Sequence, residues 1–88
     1  MSISPTRTLR VLYFAAARER TQCPGEQIHL THPYTLSELK RMIYQKYEAL
    51  ASLDPYLRWA VNQSFSDDES VTLSEGDEVA LIPPISGG

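Results

Sequence analysis

Cysteine is nearly absent from this chain: Cys23 is the only one among 88 residues. A single thiol excludes an internal disulfide and any multi-thiolate metal site, including the four-cysteine set of an iron–sulfur centre. Cys23 lies in Cys23-Pro24-Gly25, a run suited to a tight turn with φ > 0 at the glycine. No basic residue between Thr21 and Gly25 stands ready to activate it as a nucleophile, so it reads as a loop residue. Histidine is also sparse, and neither His29 nor His32 has a neighbour that suggests a metal site or a general base. No apolar run approaches the roughly 20 residues of a membrane span. Residues 1–8 lack the apolar stretch of a secretory signal. The expectation is a cytoplasmic protein that engages no membrane. Repeats and low-complexity segments are absent too.

Clustered positive charge is the next thing missing. The formal net charge is −3, but its distribution is lopsided. Residues 1–43 hold six basic side chains against three acidic, whereas residues 44–88 hold two against eight. Phosphate contacts need grouped Lys and Arg, which makes nucleic acid a poor partner. A basic protein surface suits the acidic half better, because opposite fields speed docking. What remains is an ordinary composition, 42% hydrophobic and 22% charged, on a chain long enough for one domain with a modest core.

The periodicities give an element order. Leu9 to Phe14 reads as a strand with Leu9, Val11 and Tyr13 on one side and Arg10, Leu12 and Phe14 on the other. Since both sides are mostly apolar, a central strand covered on both faces is expected. Ala15 to Arg20 reads as a short connection, and Gln27 to Leu30 as a second strand with Ile28 and Leu30 inward. Thr35-Leu36-Ser37-Glu38 is a capping box, with Tyr34 and Leu39 at the positions of a hydrophobic staple. Leu36, Leu39, Ile43, Tyr47 and Leu50 continue a helical stripe that Asp54-Pro55 ends. Leu57 to Asn62 alternates as a strand with Trp59 in the core, Asn62-Gln63-Ser64 turns the chain into a short piece around Phe65, and Val71 and Leu73 add core. Ser74 to Asp77 is turn chemistry. It feeds a last strand, Glu78 to Ile82, which Pro83-Pro84 terminates. The resulting class is α+β: a mixed sheet of four to five strands on one main helix. Residues 1–8 form an extension, 9–82 the domain and 83–88 a flexible tail.

That tail is the most informative segment. Gly87-Gly88 offers no side chain to pack and much backbone freedom to lose, yet it makes a thin thread able to enter a slot that excludes any Cβ. The Gly88 carboxylate reads as a chemical handle. Pro83 and Pro84 stiffen the approach, Ile85 and Ser86 follow, and the six residues span about 20 Å when extended. No activated nucleophile or base accompanies this end, so catalytic side chains are expected on another protein.

Val11-Leu12-Tyr13-Phe14-Ala15 with Arg18-Glu19, then Ala60-Val61-Asn62-Gln63, then Gly76-Asp77-Glu78-Val79-Ala80 running into Ile82-Pro83-Pro84-Ile85-Ser86-Gly87-Gly88 resemble the MoaD/ThiS family of ubiquitin-like β-grasp sulfur carriers. The likeness is to its molybdopterin synthase small subunits above all. It covers residues 9–88; residues 1–8 and the loop 67–70 depart from the pattern.

The resemblance implies the following. The fold is a ubiquitin-like β-grasp. No cofactor or metal is bound. Gly88 is adenylated by a ubiquitin-activating-like adenylyltransferase that uses ATP, then converted by a persulfide sulfur donor to a thiocarboxylate, a 1-thioglycine. The loaded tail, Pro83 to Gly87, inserts into the large subunit of molybdopterin synthase and delivers sulfur to cyclic pyranopterin monophosphate, the precursor of the molybdopterin dithiolene. Two small subunits flank a large-subunit dimer in a heterotetramer. Phe65 and Ile82 stand at positions that contact these partners, Ile85 packs in the channel mouth, and Phe14 and Arg18 support the tail. Two rivals share the activation chemistry: a ubiquitin-like modifier joined to lysines through Gly88, and a thiamin-pathway sulfur carrier.

Overall fold

The computed structural model describes residues 8–83. Its first strand, β1 (Thr8–Tyr13), buries Leu9, Val11 and Tyr13, each no more than 1% exposed. The period-2 alternation of the strand sends these three to one side. Helix α1 (Ala15–Thr21) follows, then β2 (Gly25–His29), antiparallel to β1. A two-residue strand β3 (Tyr34–Thr35) leads into the main helix α2 (Leu36–Lys46), a short α3 (Glu48–Ala51) and a 3-10 turn at Asp54–Tyr56. Strands β4 (Arg58–Val61), β5 (Ser64–Phe65), β6 (Thr72–Leu73) and β7 (Glu78–Ile82) complete the chain. The five-stranded sheet has the order β2-β1-β7-β4-β5, with β7 parallel to β1 and antiparallel to β4, while β3 and β6 pair separately.

The expected α+β arrangement is therefore present: a mixed five-stranded sheet with one main helix. Leu36, Leu39 and Ile43 of α2 join Leu9, Val11, Tyr13, Trp59, Val79 and Leu81 in one core on the inner face of the sheet. The capping box forms as its sequence predicts. Thr35 Oγ1 accepts from the Glu38 amide at 3.1 Å, and the Glu38 carboxylate accepts from the Thr35 amide at 2.8 Å. The next two orphan donors of the helix end, the Leu36 and Ser37 amides, are satisfied by the Val71 and Glu69 carbonyls.

Four expectations are corrected. Ala15 to Arg20 is no mere connection but most of α1, which buries Ala17 and Thr21. The helical stripe does not run unbroken to Leu50. Tyr47 leaves the helical region (φ −127°, ψ 86°), its hydroxyl reaches Glu26 at 2.7 Å, and Leu50 is buried from α3 instead. Gly25 does not carry the positive φ; Gln22 does, at 60°. Gly25 is needed for closeness, since a Cβ there would meet the Val11 carbonyl oxygen at 2.7 Å. Finally, β1 is covered on one face only: Leu12 is half-buried and Phe14 is 46% exposed.

Candidate functional site

The uncovered face of the sheet has a definite shape. Register places Gly25, Leu12, Ala80, Ala60 and Phe65 in one row across all five strands. Two of the three interior positions are alanines, buried at the bottom of the row. Leu12 and Phe14 rise on one side and Phe65 on the other, with Ile82 at the end where β7 finishes. Gln63 and Glu78 close the opposite end. The outcome is a shallow apolar trough floored by small side chains and walled by large ones. Of three large hydrophobic side chains that are exposed among the described residues, Phe14, Tyr56 and Phe65, two belong to it. A contiguous apolar patch rimmed by polar groups marks an interaction surface.

Local backbone chemistry aims both aromatic walls. Asn62 and Gln63 both take positive φ, 51° and 72°, as a two-residue type I′ hairpin requires. The Asn62 side chain ties that hairpin to the start of β7: its amide donates to Asp77 Oδ1 at 3.1 Å and its oxygen accepts from the Glu78 amide at 2.9 Å. Phe65 is thereby held opposite Ala60. On the other wall, the Phe14 amide donates to the Leu81 carbonyl at 3.2 Å, and Ala15 then turns the chain with a left-handed φ of 50°. The bend starts α1 and leaves the Phe14 ring outside the core.

Of the side chains singled out in the sequence, Phe14, Phe65 and Ile82 converge on this trough. Arg18 does not; it lines a separate surface cleft with Ala15, Glu19, Gln22, Cys23 and Pro24. Pro83 is buried where β7 ends. Pro84, Ile85, Ser86, Gly87 and Gly88 lie outside the described residues. Sequence reasoning missed Leu12, Ala60 and Ala80 as parts of the site. Leu12 was visible as an apolar residue out of phase with the core, but the alanines acquire meaning only through the pairing register.

A second polar cluster has a structural character. Glu26 accepts hydrogen bonds from Tyr13 and Tyr47, each at 2.7 Å, and is paired with Lys46. Burial pushes the Glu26 carboxyl up, but the Lys46 and tyrosine donors outweigh it and hold the group below its ordinary value. Burial together with the Glu26 carboxylate drives both tyrosine hydroxyls far up, so they remain donors. Among the described residues no three of His, Cys, Asp and Glu gather as a metal site, and no helix is long and apolar enough to cross a membrane.

Comparisons with known proteins agree with this architecture. The ThiS family profile matches residues 11–88. The molybdopterin synthase sulfur carrier subunit of Drosophila yakuba is 36% identical over 86 residues, 96% of this chain and 94% of that protein. Among solved structures, SAMP1 from Haloferax volcanii superposes with a TM-score of 0.79 at 20% identity, over 92% of this chain and 99% of that one. A chain of the complex of subunits 1 and 2 of molybdopterin-converting factor from Helicobacter pylori gives 0.66 at 28% identity, over 92% and 99%. The fold is the ubiquitin-like β-grasp, and the chain belongs to the ThiS/MoaD family.

Proposed function

We propose that this chain is the sulfur carrier subunit of a molybdopterin synthase, loaded and discharged at Gly88 while other proteins perform the catalysis. The observation that carries the reading is the trough formed by Leu12, Phe14, Phe65 and Ile82 at the end of β7, the strand from which the last residues depart. A carrier needs a surface that different enzymes grip in turn, with its reactive end beside the grip. The name borne by the Drosophila relative and the two-subunit complex of the Helicobacter neighbour support the same reading.

The chemistry follows from the carboxylate. With a pKa of about 3.5 it is an anion at neutral pH and a poor electrophile. Attack of a Gly88 oxygen on the α-phosphorus of ATP, within an activating adenylyltransferase, releases pyrophosphate and leaves an acyl adenylate. A persulfide sulfur then displaces AMP. Cleavage of the resulting acyl disulfide by a thiol leaves the thiocarboxylate on Gly88 and a disulfide on the donor. In the large synthase subunit the sulfur passes to cyclic pyranopterin monophosphate. Gly88 offers the reacting carbon without a side chain to obstruct in-line attack, and Gly87 lets the backbone flatten in a narrow slot.

Intact mass of the chain isolated from cells tests the proposal: a species heavier by sulfur minus oxygen, confined to the last residue, is expected. Gly88→Ala should reduce loading or transfer without unfolding the protein. Deletion of Gly87 and Gly88 with molybdopterin synthesis unimpaired overturns it. Recovery of Gly88 in isopeptide linkage to many lysines, with no thiocarboxylate, assigns the chain to protein modification instead.

A further inference from the structure

Arg58 stands on the rim of the trough and has no charge partner among the described residues. Its guanidinium carbon lies 3.9 Å from the centroid of the Phe65 ring, and its register partner on β7 is Ile82. The ion pairs among the described residues all belong to Lys40 and Lys46, and none of the described carboxylates pairs with Arg58. The other charged groups of this face, Arg10 and Glu78, are register partners of opposite sign at the far end of the trough. Among the described residues, Arg58 is therefore an uncompensated charge at the end where β7 finishes.

Resting on the reading of the trough as a docking surface, we infer that Arg58 is its specificity-determining residue. It receives a carboxylate that the large synthase subunit carries beside the apolar side chain seated in the trough. The cation–π contact with Phe65 restrains the guanidinium beside the ring, and the side chain is exposed, so its N–H donors are accessible to a partner. A planar fork presented in this way matches a carboxylate in bidentate fashion and matches little else as well. Docking that covered Arg58 without such a partner would strand a charge in an apolar contact, at a high cost. The sign matters as well. The half of the chain that carries the tail is acidic and attracts basic surfaces; one positive group at the rim inverts that preference locally and so fixes the orientation in which a partner seats.

The test is calorimetric titration of the full-length chain with the purified large subunit of molybdopterin synthase, at low and high salt. Arg58→Gln should weaken binding about tenfold or more at low salt. Arg58→Lys should recover only part of that, because it keeps the charge and loses the fork. The deficit should shrink as salt rises, and the thermal midpoint should stay in place because Arg58 is exposed. Arg58→Glu should be rescued by an Asp or Glu to Arg change on the large subunit. An affinity of Arg58→Gln within about twofold of the parent, with Phe65→Ala strongly impaired, overturns the inference and leaves the docking face standing. Indifference to both substitutions overturns the docking face itself. If the Arg58→Gln deficit disappears in a chain whose Gly88 carboxylate is converted to the amide, the carboxylate is this chain's own terminus, and the inference is likewise overturned.

Discussion

Truncating Phe65 to alanine should separate docking from folding. The ring is 53% exposed, and a fully covered aromatic side chain buries about 200 Å², which leaves about 100 Å² for a partner to cover. At about 25 cal/mol per Å² this amounts to about 2.5 kcal/mol, or about 70-fold in Kd. Loss of the Arg58 stack adds to it by up to about 1 kcal/mol. The cost to stability should be small, about 1 kcal/mol or less, because an exposed ring leaves no closed cavity behind. Truncating a wholly buried neighbour on the other face, such as Leu81 at 0% exposure, should instead cost about 2–5 kcal/mol of folding free energy. Calorimetric titration with the large subunit reads the first quantity and thermal unfolding the second. Tyr56→Ala supplies the control: at 63% exposure it is at least as accessible as Phe65 but lies off the trough, so its binding should match the parent. A Phe65→Ala chain that unfolds like the parent and binds within about threefold of it refutes the reasoning, because exposed apolar area on this face would then carry no docking energy.

Two further substitutions probe the scaffold. Glu26→Gln should destabilise the fold by about 1–3 kcal/mol at neutral pH by removing a charge that Lys46, Tyr13 and Tyr47 all address. The folded carboxyl sits below its ordinary value, so its contribution is fully present above the unfolded pKa of about 4.3 and is lost as pH falls through the lower folded value. Urea midpoints followed from neutral to acid pH should therefore fall in the parent and flatten in the variant; parallel curves reject this account. Gly25→Ala should cost about 1–3 kcal/mol by overpacking, since the new Cβ meets the Val11 carbonyl oxygen at 2.7 Å. An unchanged unfolding midpoint would show that β1 and β2 separate more easily than their register implies.

What the sequence disclosed was local. The capping box needs only Thr35 and Glu38 at their spacing, and both hydrogen bonds form. The hairpin around Asn62-Gln63 and the outward Phe65 also follow from neighbours in the chain. Where the reading failed, the deciding contact was distant. Ala15 to Thr21 carries no side-chain cap, and it is helical because Ala17 and Thr21 bury against the rest of the fold. Gly25 reads from sequence as a turn residue, yet its constraint is the Val11 carbonyl on the adjoining strand. Leu12 and Phe14 illustrate a deeper limit. A strand apolar on both sides reads as doubly buried, and nothing in the alternation distinguishes a face covered by its own chain from one left open for another.

That ambiguity has a physical resolution in β7. Val79 and Leu81 point inward at 0% exposure, while Ala80 and Ile82 face the trough. The inward pair is branched and fills the core against Trp59 and Val61, their register partners or neighbours on β4. The outward positions combine a small residue in the middle with a larger one at the end, a sequence of volumes that makes a recess and not a packed layer. A sheet face meant for solvent would place polar groups there, and one meant for its own helix would place large ones at the centre. Small at the centre and large at the margins suits a guest that brings its own protruding side chain. Because the inner and outer sets alternate along one strand, they are coupled mechanically but independent energetically. Substitutions at Val79 or Leu81 should be read as stability, and substitutions at Ala80 or Ile82 as recognition. A β-grasp can thus hold its core constant while the row Leu12, Ala80, Ala60 and Phe65 is retuned for a different partner.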